Sequence, residues 1–273
     1  MDVSVLGNGP AVLLPVSIAT MEGKAADDLR AWGADPNLGH NLATGLVDAG
    51  FQVIAADYEG HLRDEPQPRT LDAAQVAADL LAIADVAGVE RFAYYGYSWL
   101  GLAGLQLALR TDRLTALAMG GFPPLGGPYA AMLDVTRTAH RMSLEEKQSP
   151  AQTAEPGDWD SADFTLTPDQ TQQYVTLYES LQGFDERAAL DKVDIPRLVL
   201  IGGNDTIQYG EKWDNARVSM ADAIHEFGAE LTERAWGVHI IPEADHMRAM
   251  QAATVLPILI PFLKATILGS RAG

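Results

Sequence analysis

The chain holds 273 residues, 37 of them acidic and 19 basic, for a formal charge of −18 at pH 7. A surplus of that sign repels a phosphate backbone and an anionic membrane surface alike, so neither nucleic acid nor membrane is expected as a partner. Cysteine is absent, which excludes disulfides, thiolate metal sites and a cysteine nucleophile; the length suits one large α/β core carrying an insertion.

The first residues, Met1-Asp2-Val3-Ser4-Val5-Leu6, show no basic stretch ahead of an apolar core, and a cytoplasmic protein is the expectation. Val3-Ser4-Val5-Leu6 and Ala11-Val12-Leu13-Leu14-Pro15-Val16 flank Gly7-Asn8-Gly9-Pro10; Asn-Gly between apolar runs predicts a hairpin of two antiparallel strands. The rhythm then alternates: helix over 38–49, strand over 51–56, helix over 72–87, strand over 92–97, helix over 100–109 and strand over 114–119. Such alternation implies right-handed crossovers and a mainly parallel sheet with helices on both faces. From Phe122-Pro123-Pro124-Leu125-Gly126-Gly127-Pro128 to about Glu186 no strand-like run occurs. Two helical stretches, near 129–143 and 168–181, are joined there by a polar segment rich in Ser, Thr, Asp and Pro. This reads as a small helical cap over 122–186 inserted into a core made of 1–121 and 187–273.

Strands resume at Leu198-Val199-Leu200-Ile201 and Val238-His239-Ile240-Ile241. The apolar stretch from Val255 to Leu268 is interrupted by Pro257, Pro261 and Lys264. It is shorter than the roughly 20 residues a bilayer requires, and it reads as a packed final helix. Nothing in the sequence sets the oligomeric state.

Chemistry enters with Gly96-Tyr97-Ser98-Trp99-Leu100-Gly101, which places a serine between the apolar run ending at Tyr97 and the helical run that follows. A sharp strand-to-helix turn holds a hydroxyl clear of the backbone with a helix amino terminus behind it. A serine hydroxyl needs a base to take its proton and an acid to hold that base in one tautomer. In open α/β sheets both belong in loops at the carboxyl ends of strands. Of the six histidines, His246 fits, one short loop beyond the 238–241 strand. His239 lies within that strand, His40, His140 and His225 fall in helical stretches, and His61 belongs to a loop after an earlier strand. Asp205 stands in Gly202-Gly203-Asn204-Asp205-Thr206 after the 198–201 strand, with Asp214, Glu243 and Asp245 as weaker candidates for the acid.

These residues resemble the α/β-hydrolase superfamily over essentially the whole chain. The resemblance rests on the elbow around Ser98, the order Ser98, Asp205, His246, the stretch Asp57-Tyr58-Glu59-Gly60-His61 that looks like the family's D-x-x-G-H segment, and a cap after the sixth strand. The elbow reads G-x-S-x-x-G, a variation on G-x-S-x-G in which Leu100 fills the usual glycine site. Members also usually carry His-Gly after the third strand, where this chain has Leu14-Pro15-Val16-Ser17-Ile18-Ala19. By position one oxyanion-hole amide is that of Ser17, with Val16 or Ile18 as alternatives, paired with the amide of Trp99. Serine at the elbow argues against epoxide hydrolases and haloalkane dehalogenases, which use aspartate there.

The resemblance implies a serine hydrolase that cleaves an ester, thioester or lactone of a small, largely apolar substrate. Trp99, Phe122, Tyr129, Met132, Met142 and Tyr174 are the candidate pocket walls. A lyase or carbon–carbon bond hydrolase using the same triad, and a non-catalytic small-molecule binding protein, are the alternatives. No phosphate loop, metal-ligand helix or haem motif is present in the sequence, so no cofactor is expected; Asp245-His246 lacks a third ligand, so no metal is either.

Overall fold

The strands grow from short runs of Val, Ile, Leu and Ala, and the helices from segments whose apolar residues recur every three or four positions. The computed structural model describes residues 1–145 and 166–268; the polar segment expected to join the two helices of the insertion lies outside the described residues. In chain order the elements are β1 (Val3–Leu6), β2 (Ala11–Leu14), α1 (Lys24–Ala31), α2 (Leu38–Asp48), β3 (Gln52–Ala56), α3 (Tyr58–Asp64), α4 (Ala73–Val86), β4 (Phe92–Tyr97), α5 (Trp99–Ala108) and β5 (Leu114–Gly120). Then follow α6 (Tyr129–Leu144), α7 (Pro168–Ser180), α8 (Glu186–Leu190), β6 (Arg197–Gly202), β7 (Thr206–Gln208), β8 (Arg217–Ser219), α9 (Met220–Glu233), β9 (Trp236–Ile241), α10 (His246–Ala249) and α11 (Ala252–Leu263).

The main sheet has the order β1-β3-β2-β4-β5-β6-β9. Only β1 runs antiparallel to its neighbour; every other pairing is parallel. Both faces are covered, so β4 is buried along its whole length and its side chains divide between two cores. Phe92 and Tyr94 join the core that includes α4 and α5, while Ala93, Tyr95 and Tyr97 join the one that includes α2 and α11. The last helix buries Ala252, Val255, Leu259 and Leu263 and leaves Pro257 and Pro261 on its exposed side, where a missing N–H is least costly.

The expected hairpin does not form. β3 lies between β1 and β2, antiparallel to the first and parallel to the second. The glycines serve the crossing: a Cβ on Gly7 would sit 2.8 Å from the Phe51 carbonyl oxygen, and one on Gly9 would sit 2.2 Å from that of Gly50. The Asn-Gly signal was local, whereas burial of Val53 and Ile54 in a strand paired on both edges is worth far more than one tight turn. His61 is likewise not in a loop but in α3, capped by Asp57, whose carboxylate accepts from Gly60 N at 2.9 Å. The insertion follows the fifth strand of the chain, β5, not the sixth.

Helix α7 begins with a capping box between Thr167 and Gln170 and with Pro168 in its first turn. Side chains tie it to the segment after β3: Gln173 Nε2 donates to Leu62 O at 2.9 Å, Gln170 Nε2 to Arg63 O at 2.6 Å, and Thr176 Oγ1 to Pro68 O at 2.6 Å. The inserted helix is thereby anchored at the carboxyl edge of the sheet.

Candidate active site

Ser98 forms the junction of β4 and α5 with φ 58° and ψ −133°, a conformation that costs a non-glycine residue about 1–3 kcal/mol. The surroundings impose it. Ser98 N donates to Gly120 O of β5 at 2.8 Å, and Ser98 O accepts from Gly101 N at 2.8 Å. The glycines at the elbow are there for close approach: a Cβ on Gly96 would lie 2.3 Å from Leu100 O, and one on Gly101 would lie 2.9 Å from Gly120 O. Tyr94 OH also bonds Leu100 O at 2.7 Å. Leu100 therefore occupies the usual glycine site as a buried residue, and the glycine moves one place on, to where α5 meets β5.

Asp205 and His246 stand beyond β6 and β9, on the same carboxyl edge as Ser98 because β4, β5, β6 and β9 are parallel. Asp205 is fully buried. Its carbonyl oxygen accepts from Met220 N and Ala221 N at 2.9 and 3.0 Å, the opening amides of α9. Both carboxylate oxygens lie 2.9 Å from His246 Nδ1. A buried carboxylate there fixes the proton on Nδ1 and leaves Nε2 as the free base.

Tyr97 also bears on His246: its hydroxyl donates to the His246 backbone carbonyl at 2.9 Å, and the two rings are 5.0 Å apart. Burial, reinforced by the Asp205 carboxylate, pushes the Tyr97 hydroxyl well above its ordinary pKa, so it remains a donor. At Gly121, where φ is 58°, a Cβ would come 3.0 Å from His246 Cε1. The histidine thus reaches back over the end of β5, the strand to which Ser98 is bonded. Among the described residues Ser98 Oγ makes no hydrogen bond to His246; Asp205 is the partner of its ring.

The weaker acid candidates have other partners. Asp214 lies on the surface and meets Arg141 at 3.1 Å and Thr138 at 3.4 Å, both on α6. Asp245 caps α10 through Arg248 N at 2.8 Å. Glu243 is exposed and accepts from Asn204 at 3.4 Å. His239 remains within β9, and His40, His140 and His225 within helices.

Trp99 is the first residue of α5, so its amide has no acceptor within the helix. Its indole Nε1 donates to Glu59 Oε1 at 2.6 Å, and its ring meets Tyr174 of α7 edge-on at 5.6 Å. Phe122 is fully buried and packs edge-on against Tyr129 at 5.6 Å, while Met132 and Met142 are half-buried against the same core. Ser17 is exposed, and its carbonyl abuts α2 so closely that a Cβ on Gly39 would come within 2.0 Å of it. Sequence reasoning missed Glu59 and Gly121. Glu59 lies 40 positions from Trp99 with no pattern linking them, whereas the Gly120-Gly121 pair ending β5 was a readable sign of close backbone approach.

The sheet order and the strand–turn–helix at Ser98, with Asp205 and His246 on the same edge, are those of the α/β-hydrolase fold. Scanned against protein-family models the chain matches none, and a search of curated proteins finds no match. Solved structures do match it over nearly its whole length. A carboxylesterase from Nitrososphaera gargenis shares 14% identity with a TM-score of 0.63, covering 98% of this chain and 95% of that one. The enol-lactonase of Burkholderia xenovorans shares 18% identity with a TM-score of 0.58, covering 96% of each chain. Epoxide hydrolase A of Mycobacterium thermoresistibile shares 19% identity with a TM-score of 0.53, covering 96% of this chain and 94% of that one. One fold therefore serves several chemistries, and reaction type must be argued from the residues.

Proposed function

We propose that the protein is a serine hydrolase acting on an ester, thioester or lactone of a small, largely apolar molecule. The observation that supports this most is the buried Asp205 carboxylate with both oxygens 2.9 Å from His246 Nδ1, at the sheet edge where Ser98 is held at positive φ. Ser98 Oγ attacks the acyl carbon while His246 Nε2 takes its proton. That contact forms on substrate binding, as catalytic hydrogen bonds tighten in the Michaelis complex. The oxyanion is held by the amide of Trp99 and, by position, that of Ser17. His246 then protonates the leaving group, and water repeats the sequence to release the acid.

Residues 122–186 act as a cap, and its α7 bears on Trp99 through Tyr174. Trp99 lines a small internal space beside Leu177 and Leu181 of that insertion, which supports it as a pocket wall; Phe122, Tyr129 and Met132 pack in the core beneath.

The test is reaction with a fluorophosphonate, mapping of the labelled peptide, and an ester panel of graded acyl length. Labelling at Ser98 with ester turnover is the expected result. Release of an aldehyde or ketone without water incorporation gives the lyase instead, and no labelling gives a binding protein.

A further inference from the structure

Glu59 and Arg63 stand four residues apart on α3, the spacing and order in which an acid and a base on one helix face ordinarily pair. Here the pair stays open. Glu59 Oε1 accepts instead from the Trp99 indole at 2.6 Å, and among the described residues neither Glu59 Oε2 nor the Arg63 guanidinium has a hydrogen-bond partner. Both side chains line an open cleft of about 200 Å³, together with Leu166 and, from α7, Gln170, Gln173 and Tyr174. That is smaller than the roughly 300–1,000 Å³ of a drug-sized ligand site, so it suits a molecule of about amino-acid size.

We propose that this cleft binds a zwitterion, an α-amino acid with an apolar side chain, whose ammonium meets Glu59 Oε2 and whose carboxylate meets the Arg63 guanidinium. The site stands apart from the hydrolase reading, since binding there requires no turnover. One hydrogen bond, from Trp99 to Glu59, joins it to the residue that follows Ser98.

The lining selects this class by charge. A carboxylate alone would meet Arg63 with Glu59 opposing it, in a chain whose formal charge is −18, and that field disfavours any free anion. An ammonium alone would face the Arg63 guanidinium. A zwitterion brings no net charge and gives each of the two side chains its opposite. Charge-assisted hydrogen bonds at both ends are about twice as strong as those a neutral amide would make, and Glu59 and Arg63 are exposed enough to bind without leaving water completely. The amides in the lining are already engaged by the protein. Gln170 Nε2 donates to Arg63 O at 2.6 Å and its Oε1 accepts from Thr167 N at 2.8 Å. Gln173 Nε2 donates to Leu62 O at 2.9 Å and its Oε1 accepts from Gln67 N at 3.0 Å. What remains beside the charged pair is Leu166 and the Tyr174 ring, so a polar side chain on the ligand would lose its water there without recovering partners.

The experiment is isothermal titration of the full chain with L-leucine and three analogues of the same carbon frame. These are 4-methylpentanoate, which lacks the ammonium, L-leucinamide, which lacks the carboxylate, and 4-methylpentanamide, which lacks both charges. Leucine should bind the parent about tenfold or more tighter than each analogue, the worth of one hydrogen bond to a charged group. Arg63→Ala should bind leucine no better than leucinamide, and Glu59→Gln, which keeps an acceptor for the indole, should bind it no better than 4-methylpentanoate. The Arg63 side chain is exposed, so its variant folds. Asp64→Asn removes the next charge along α3, exposed and outside the lining, and should leave leucine affinity as it was. Three results overturn the proposal: no saturable binding of leucine at millimolar concentration, an analogue that matches leucine on the parent, or a loss in Asp64→Asn as large as those in the two cleft variants. Cleft variants that bind leucine as the parent does place the ligand elsewhere and overturn it as well.

Discussion

The indole nitrogen of Trp99 donates to Glu59 Oε1 across 2.6 Å, so the residue next to Ser98 is tied to α3 and, through Tyr174, to α7. Glu59 lines an open cleft of about 200 Å³ with Arg63 and Tyr174. One side of the residue meets solvent, but the protein around the carboxyl withdraws it from bulk water. This burial raises its pKa, against the opposing pull of the Trp99 hydrogen bond.

The pH consequence has a definite sign. A glutamate whose folded pKa lies above its unfolded value contributes stability below the ordinary glutamate range and loses it as pH rises through the folded value. Glu59→Gln keeps an acceptor for the indole and has no charge to bury. Its stability relative to the parent should therefore increase between pH 4 and pH 8, as read by urea midpoints. A difference that stays constant with pH would show that Glu59 is solvated like any surface glutamate.

Strain at the elbow gives a prediction in which stability and activity move in opposite directions. Ser98 has φ 58°, which glycine adopts freely, so Ser98→Gly should be stabilised by about 1 kcal/mol, or about 2–4 °C in Tm. It should also lose turnover and phosphonate labelling. Ser98→Ala should lose the same activity without the gain in Tm. Labelling of either variant at the parent's rate would remove Ser98 from the mechanism.

Asp205 and Asp214 are separated by their surroundings. Asp205→Asn keeps the shape but loses the charge that fixes the His246 tautomer, and turnover should fall by orders of magnitude, up to about 10⁴-fold, with apparent binding little changed. Asp214→Asn weakens an exposed contact to Arg141 worth roughly 0–1 kcal/mol and should leave kcat as it was. The reverse pattern would move the acid to Asp214.

Much of this site was legible because its parts sit at the ends of unambiguous strands. The runs at 92–97, 198–201 and 238–241 became β4, β6 and β9, and the parallel pairing that alternation implies puts Ser98, Asp205 and His246 on one edge. What was illegible depended on contacts between distant segments. The Gly7-Asn8-Gly9 turn looked like a hairpin because the passage of β3 between its strands leaves no local trace. Helix α1 is short, polar on the whole and buries only Ala26, so little in it marks a core-facing segment. Glu59 finds Trp99 only because α3 and α5 follow β3 and β4, the two strands that flank β2, an arrangement that spacing along the chain does not encode.

The cap proposal makes the last prediction, and its force comes from Tyr174. That ring meets Trp99 edge-on at 5.6 Å, and Leu177 and Leu181 line a small internal space with Trp99, so α7 reaches the residue beside Ser98. Tyr174→Ala should therefore change the order of preference among acyl groups while Asp205 and His246 stay paired and phosphonate labelling continues. Met132→Ala on α6, half-buried against the same core, should change that order in the same assay. Some loss of Tm is expected in both, below the roughly 2–5 kcal/mol of a fully buried Met→Ala change. Kinetics on an acyl series at constant alcohol, with Tm measured on the same samples, separates the two effects. If both variants merely melted earlier and ranked the acyl groups as the parent does, residues 122–186 would be packing, and specificity would have to reside in the core loops.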